Sequence, residues 1–126
     1  MTARALVVDD DPVSRRVLML MLGAAGQRVV CASDGAEALS IMEVYQPTLA
    51  CVDLHMPGLS GLELVDAMRK RLGPSMPPVV MLTASGDPSD MTRAEAAGVD
   101  RYVTKPIGSR DIAMILESVS KTKPNR

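Results

Sequence analysis

Five short apolar runs, separated by stretches with helical start signals, constrain the fold of this chain more than any other feature of its sequence. Each run is too short for a helix, and most lack the polar–apolar alternation that is typical of a strand with one face in water. The runs are Ala5–Val8, Gln27–Cys31, Leu49–Val52, Val79–Leu82 and Arg101–Thr104. This pattern predicts an α/β fold in which a parallel sheet is covered by helices on both faces.

Helix start signals follow every run. Asp11 and Pro12 predict the cap and first turn of a helix that extends to about Ala24. The other starts are expected at Asp34 or Gly35, at Ser60 or Gly61, at Asp87 with Pro88, and at Ser109. The predicted buried stripe of the third helix consists of Leu62, Val65, Met68 and Leu72. Because these elements use nearly the whole chain, we predict one domain over residues 1–120 and a short polar tail over residues 121–126.

The composition is that of an ordinary globular protein and argues against several functional classes. Apolar residues make up 47% and charged residues 23% of the chain, which argues against disorder and against a fibrous protein. The net charge of −1 gives no general electrostatic reason to bind nucleic acid, since phosphate binding needs a concentrated basic face. No apolar segment is long enough to span a membrane, and the N-terminal apolar run is too short for a secretory signal, so we predict a cytoplasmic protein. Cys31 and Cys51 lie in apolar runs and are expected to be unpaired.

Polar residues follow four of the five runs directly, at the edge where open α/β sheets bind ligands. They are Asp9 and Asp10 after the first run, Asp53 after the third, Thr83 after the fourth and Lys105 after the fifth. Any one of these residues is more often a turn or cap residue than a functional one. Their joint placement favours a functional site, provided that their strands are neighbours in the sheet. Two carboxylates about 4 Å apart repel by about 4 kcal/mol at an effective dielectric near 20, so the acids need a proton, an ammonium or a cation. Oxygen ligands without a histidine cluster favour Mg²⁺ over zinc.

Four segments of the sequence resemble the signature segments of a known family. They are LVVDDDP, CVDLHMPGLSGLEL, VVMLTAS and YVTKPI. In order and spacing they resemble the response-regulator receiver domain of two-component signalling, and the resemblance extends from about Arg4 to Val119. It implies a flavodoxin-like, doubly wound sheet of five parallel strands in the order 2-1-3-4-5, with five helices. That order would place the first and third strands side by side, as the acid cluster requires.

The resemblance also implies roles for the residues that follow the strands. Asp53 would be the phospho-acceptor, taking a phosphoryl group from a phosphohistidine on a sensor histidine kinase or phosphotransfer protein. Asp10 and Asp53 would bind Mg²⁺ directly, Asp9 largely through water, and His55 through its backbone carbonyl. Lys105 would neutralise charge during the transfer. Such a domain is a switch that catalyses only its own phosphorylation and dephosphorylation, and is not an enzyme with other substrates.

Further positions match the family's conformational switch. Thr83 would bind the phosphoryl oxygens, and Tyr102 would turn inward as Thr83 moves; the alternative is that Tyr102 is simply a partly buried aromatic residue. His55 and Ser85 occupy variable positions that would tune the phosphorylated lifetime, although a solvated loop residue is the simpler interpretation of His55. The isomer of the peptide bond before Pro106 cannot be read from the sequence.

A downstream protein would dock on the face formed by the fourth helix, fifth strand and fifth helix. The candidates for exposed positions on that face are Met91, Arg93, Arg101 and Arg110, with ordinary solvated surface as the alternative for each. Either a free-standing receiver or a fragment of a longer regulator or hybrid kinase fits the sequence.

Two other functional classes remain as alternatives. A Mg²⁺-dependent phosphohydrolase also uses an aspartyl nucleophile, but the segment LHMPG after Asp53 has no acid two residues on to donate a proton. A flavodoxin-like FMN carrier would need a phosphate-binding loop after the first strand, and the three aspartates there would repel a phosphate.

Overall fold

The structure, a computed structural model, describes residues 3–84 and 86–122, with side chains described as far as residue 117. The strands in this part of the chain are β1 (Arg4–Val8), β2 (Arg28–Ala32), β3 (Leu49–Asp53), β4 (Val79–Thr83) and β5 (Arg101–Thr104). The helices there are α1 (Pro12–Ala24), α2 (Gly35–Tyr45), α3 (Gly61–Leu72), α4 (Pro88–Ala96) and α5 (Ser109–Thr122), with a 3₁₀ turn at Gly73–Ser75. Most of the predicted tail, residues 121–126, lies outside this description.

All strand pairs in the sheet are parallel, and the strand order is β2-β1-β3-β4-β5. The predicted flavodoxin-like fold is therefore confirmed. Val8 of β1 lies opposite Val52 of β3, so the residues that follow them, Asp9 and Asp53, reach the same edge of the sheet. Thr83 of β4 pairs with Thr104 of β5, which brings Lys105 to that edge as well.

Two apolar clusters cover the two faces of the sheet. Leu18 and Leu22 of α1 pack with Ile112 and Ile115 of α5 on one face. On the other face α2, α3 and α4 contribute Ala38, Met42, Leu64, Val65, Met68 and Ala94. All five residues of β3 and of β4 are buried, which explains why their sequences are continuously apolar rather than alternating.

Side-chain caps begin the first four helices where the sequence predicts them, while Ser109 is the first residue of α5. The Asp11 carboxylate accepts a hydrogen bond from the N–H of Val13 at 3.2 Å and caps α1. Asp34 caps α2 and Asp87 caps α4 in the same manner. Ser60 and Glu63 form a reciprocal capping box at the start of α3. Each cap typically contributes about 1 kcal/mol.

Three sequence-based assignments need correction. β2 runs from Arg28 to Ala32, one residue later than predicted. Asp53 and Thr83 are the last residues of β3 and β4 rather than the first residues after them, because the backbone hydrogen bonds continue beyond them and the N–H of Leu54 still donates to Leu82. In the third helix Leu64 is fully buried beside Val65 and Met68, whereas the predicted Leu62 and Leu72 are only partly buried.

The two cysteines are free thiols, as predicted. Val7 of β1 pairs with Cys31 on one side and with Cys51 on the other. The two cysteines are thus two strand spacings apart, roughly 9.5 Å, which is too far for a disulfide. No helix in the described part of the chain is long and apolar enough to cross a membrane.

Candidate functional site

Three aspartates meet at the carboxyl edge of the sheet. Asp9 and Asp10 follow β1, and Asp53 ends β3. Each offers a carboxylate oxygen, and these oxygens lie within 4.8 Å of one another. Asp9 is completely buried and Asp53 is 6% exposed, whereas Asp10 is exposed to solvent. The structure therefore brings together all three acids that the sequence singles out, and it leaves the adjacent Asp11 as the cap of α1.

The ammonium of Lys105 lies between two of these carboxylates. Its Nζ is 2.7 Å from Oδ2 of Asp9 and 3.3 Å from Oδ1 of Asp53. The backbone N–H of Lys105 donates to the carbonyl of Thr83 at 2.7 Å, and the peptide bond to Pro106 is cis. One positive charge therefore faces two buried carboxylates, with Asp10 close by.

Burial and the neighbouring charges shift the pKa values of both Asp53 and Lys105. Burial, followed by the negative charge of Asp9, raises the pKa of Asp53 to about 6, and the contact with Lys105 only partly opposes this rise. Burial alone would lower the pKa of Lys105. The hydrogen bond to Asp9 and the charges of both carboxylates outweigh it, so the pKa of Lys105 is raised and its ammonium stays protonated at neutral pH.

Asp9 is held from several directions. Its Oδ1 accepts the backbone N–H of Asp11 at 3.0 Å and its Oδ2 accepts Lys105. Its backbone carbonyl accepts a hydrogen bond at 2.8 Å from the guanidinium of Arg15, which projects from α1. The role of Arg15 is not evident from the sequence, because a basic residue in the second turn of a helix carries no local sign of such a contact.

The donor atoms of the cluster fit a Mg²⁺ ion. Mg²⁺ prefers oxygen ligands, commonly one or two carboxylates completed by water. Among the side chains described as far as residue 117 and the backbone of residues 3–84 and 86–122, no group pairs with the carboxylate of Asp10. Lys105 contacts Oδ1 of Asp53, and the negative charge of the cluster exceeds that of its one ammonium. Asp10 and Asp53 therefore present carboxylate oxygens that a cation can use.

The loop after Asp53 folds closely against the start of α3. The N–H of Gly61 donates to the carbonyl of Leu54 at 2.8 Å. A Cβ atom on Gly61 would collide with the carbonyl oxygen of Asp53 and would lie 2.8 Å from Cα of Leu54. A glycine at this position therefore allows α3 to begin directly beneath Asp53. From the sequence, Gly61 is recognisable only as a helix start.

The sequence model of the response regulator receiver domain matches residues 5–117. This chain belongs to the response regulator receiver domain family. The predicted family is thus confirmed, while the predicted boundary at residue 120 stays a prediction. The chain is similar to the probable transcriptional regulator ycf27 of Cyanophora paradoxa, with 37% identity over 122 residues, 97% of this chain and 50% of that protein. It is 40% identical to the transcriptional regulatory protein KdpE of Mycobacterium tuberculosis over 103 residues, 82% of this chain and 44% of that protein.

Solved structures of receiver domains superimpose closely on this one. The chemotaxis protein CheY4 of Vibrio cholerae has a TM-score of 0.87 and 29% identity, covering 94% of this chain and 99% of that one. A CheY-like receiver domain of Methanospirillum hungatei has a TM-score of 0.87 and 30% identity, covering 96% of each chain. The chain spans about half the length of the curated relatives it matches, and nearly the full length of these structural neighbours.

The predicted switch residues of the receiver domain are in contact. Thr83 is completely buried, and a side-chain hydrogen bond joins it to Tyr102. Tyr102 is half-buried and packs against the core cluster that includes Met81. Burial raises the pKa of Tyr102, and the hydrogen bond to Thr83 opposes this rise. The side chain of Tyr102 is therefore bonded to Thr83, the residue with which it is predicted to move.

The two predicted tuning residues have different outcomes. His55 has a 64% exposed side chain, and its Nε2 lies 3.6 Å from Oδ2 of Asp90 at the start of α4. It is therefore solvated but in contact with a specific partner, which the sequence does not indicate. Ser85 lies outside the described residues, so its role stays a prediction.

Three of the four residues predicted to be exposed on the docking face are exposed. They are Met91, Arg93 and Arg110. Arg101 is half-buried, because it lies on β5 beside Val80 of β4.

Proposed function

We propose that this receiver domain accepts a phosphoryl group on Asp53 from a phosphohistidine of a sensor histidine kinase or phosphotransfer protein. One observation carries the proposal: a buried carboxylate at a strand end lies between two further carboxylates and an ammonium 3.3 Å away. A site that only stabilised the fold would gain nothing from the excess negative charge, whereas a phosphoryl-accepting site needs both a carboxylate nucleophile and groups that neutralise the incoming charge.

In the proposed reaction, a carboxylate oxygen of Asp53 attacks the phosphorus, and the bond from phosphorus to the imidazole nitrogen of the donor breaks. Lys105 stays protonated and stabilises the negative charge of the transferring group. A Mg²⁺ ion, bound by Asp10, Asp53 and the backbone carbonyl of His55 with Asp9 acting through water, would neutralise further charge. Asp9 meanwhile orients Lys105 through their 2.7 Å contact.

The product is an acyl phosphate, a mixed anhydride that water can hydrolyse, so the modification is temporary. We propose that Thr83 moves toward the new phosphoryl oxygens and that Tyr102, hydrogen-bonded to it, transmits the change to the face formed by α4, β5 and α5. The domain would then act as a switch with no other substrate. A cytoplasmic location and a downstream protein partner belong to the same proposal, whether the domain acts alone or within a longer regulator such as its relatives.

The acceptor can be tested by intact mass after incubation with Mg²⁺ and acetyl phosphate. We expect the wild-type protein to gain the mass of one phosphoryl group and Asp53→Asn to gain none, because an amide is not a carboxylate nucleophile. Asp66→Asn is the matched control, since Asp66 is an exposed acid that pairs with Lys70 on α3; it should be modified like the wild type. Uptake by Asp53→Asn, or catalytic release of phosphate from an external phosphomonoester, would contradict the proposal.

The exposed face of α1 provides a surface on which the phosphodonor could dock. Val13, Val17 and Leu20 are 69%, 46% and 57% exposed, and their spacing places them on one side of the helix. The opposite side of α1 buries Leu18 and Leu22. Since α1 begins directly after the acid cluster, a partner that delivers a phosphoryl group to Asp53 would lie against this apolar stripe. The helix is therefore apolar on two sides, a pattern that is visible in the segment VSRRVLML.

The double variant Val17→Glu, Leu20→Glu should separate docking from chemistry. We expect transfer from the phosphorylated kinase to fall about tenfold or more, because two apolar contacts are replaced by charges. Phosphorylation by acetyl phosphate should stay within about twofold of wild type, since both side chains are exposed and surface substitutions usually perturb the fold little. Val44→Glu is the control, because Val44 is 86% exposed on α2. Equal loss with both donors would show that the stripe serves the fold rather than docking.

A further inference from the structure

Asp90 lies in the first turn of α4 and is only 7% exposed. Its Oδ1 accepts a hydrogen bond from Arg93 at 2.9 Å, and its Oδ2 lies 3.6 Å from Nε2 of His55. His55 belongs to the loop two residues beyond Asp53. This buried carboxylate thus connects the start of α4 to the loop after Asp53, and it takes no part in the proposed phosphoryl transfer.

Asp90 also lies near the switch pair. Its negative charge is among the influences that raise the pKa of Tyr102, although burial is the larger cause. The Asp90 carboxylate is therefore within electrostatic range of Tyr102. It is also in contact with His55, the first exposed residue after Asp53. A buried carboxylate is retained in a fold only where partners compensate it, and here one of those partners is a largely exposed imidazole.

Building on the proposed function, we propose that Asp90 is a positioning residue that holds the His55 side chain against α4 and so controls how long Asp53 stays phosphorylated. Phosphorylation places new anionic oxygens two residues from His55. These oxygens and Asp90 then compete for the same imidazole Nε2. When the imidazole turns to the phosphoryl group it occupies the space through which water approaches, and when Asp90 retains it that space is open.

The reaction affected is hydrolysis of the acyl phosphate. Water attacks the phosphorus, the bond between phosphorus and the Asp53 oxygen breaks, and the products are inorganic phosphate and the restored carboxylate. Asp90 touches neither reactant and acts only through His55. Replacing Asp90 should therefore have no effect on the hydrolysis rate in a protein that lacks the His55 side chain. If Asp90 only stabilised the start of α4, its replacement would have the same effect with or without His55.

The test is a double-mutant cycle on the decay of phosphorylated protein, followed by intact mass at one pH after the phosphodonor is removed. We expect Asp90→Asn to slow hydrolysis roughly three- to tenfold, as loss of one polar contact frees His55. His55→Ala should accelerate hydrolysis, and adding Asp90→Asn to His55→Ala should cause no further change. Asp87→Asn is the matched control, since it removes another carboxylate from the start of α4 while asparagine caps a helix equally well; its decay should stay within about twofold of wild type.

An unchanged decay in Asp90→Asn, or the same change with and without His55, would overturn the proposal. Thermal unfolding of each variant, followed by circular dichroism, shows whether a changed decay reflects loss of structure. All measurements begin with phosphorylated protein. Failure to phosphorylate the wild type would therefore contradict the proposed function, whereas normal phosphorylation with additive effects of the two variants would contradict only the role of Asp90.

Discussion

Replacing Lys105 with methionine is expected to slow phosphorylation of Asp53 by acetyl phosphate by about 100-fold, the usual cost of removing one preorganised charge-stabilising donor. Methionine keeps much of the length and apolar surface of the lysine side chain but lacks the ammonium that contacts Asp9 at 2.7 Å and Asp53 at 3.3 Å. Without it, the incoming phosphoryl group meets three carboxylates and lacks the ammonium that contacts two of them. The loss should appear mainly in the rate of transfer, since Asp53 itself is retained.

Initial rates of phosphoryl uptake, followed by intact mass in saturating Mg²⁺, measure this effect. Lys70→Met is the matched control, because Lys70 forms an exposed ion pair with Asp66 at 3.1 Å on α3. Exposed pairs of this kind contribute little, so the control should stay within about twofold of wild type. A Lys105→Met rate within about threefold of wild type would show that the ammonium serves the fold rather than the transfer.

Replacing Asp53 with asparagine is expected to stabilise the metal-free protein by about 1–3 kcal/mol at neutral pH. The reason is that the pKa of Asp53 rises from 3.8 to about 6 on folding, because burial and the charge of Asp9 disfavour the carboxylate. In the unfolded chain the carboxyl group ionises freely, whereas in the folded protein ionisation is costly. Asparagine has nearly the same shape and removes that cost.

The sign of the pH dependence follows from the number of bound protons. Between pH 3.8 and about 6 the folded state holds a proton on Asp53 that the unfolded state has released, so the stability of the wild type falls as pH rises through this window. Above about pH 6 the wild type carries the full free-energy cost of an ionised, buried Asp53, and below pH 3.8 that cost is absent. The advantage of Asp53→Asn should therefore be largest at neutral pH and disappear as the pH falls below that window.

Urea denaturation in a chelating buffer at several pH values gives the free energies of unfolding. Asp66→Asn is again the control, because Asp66 is 60% exposed and pairs with the exposed Lys70 at the next turn; it should change stability by no more than about 0.5 kcal/mol. Added Mg²⁺ should stabilise the wild type more than Asp53→Asn and so narrow the difference between them. A metal-free Asp53→Asn variant that is less stable than wild type at neutral pH would contradict the charge repulsion inferred for the site.

Much of this molecule follows from local features of its sequence. Strands buried on both faces are continuously apolar, so the five runs were recognisable, with bounds that differ from the structure by one residue at several ends. The caps Asp11, Asp34 and Ser60 bond to N–H groups two or three residues away, and such contacts depend on spacing alone. The site residues were predictable because the carboxyl ends of parallel strands lie at one edge of the sheet. These residues are Asp9, Asp10, Asp53 and Lys105.

The contacts that tune the site depend instead on how separate elements pack. Arg15 reaches the carbonyl of Asp9 because α1 lies against the sheet, and Gly61 is required by the backbone of the preceding loop. His55 and Asp90 are 35 positions apart in the chain and touch only because α4 packs beside the loop after β3. Even in α3, helical periodicity predicted a buried side, but packing against the sheet determined that Leu64 rather than Leu62 lies at its centre.

The sequence by itself therefore determined the succession of strands and helices, their caps, and the acids and the lysine at the edge of the sheet. Each of these depends on short-range hydrogen bonding or on the period of burial. Only the tertiary structure decided the orientation of Lys105 between Asp9 and Asp53, the rise in the pKa of Asp53, and the contact of Asp90 with His55. These properties depend on distances between residues far apart in the chain and on the exclusion of water around them, and both arise only when the helices close over the sheet.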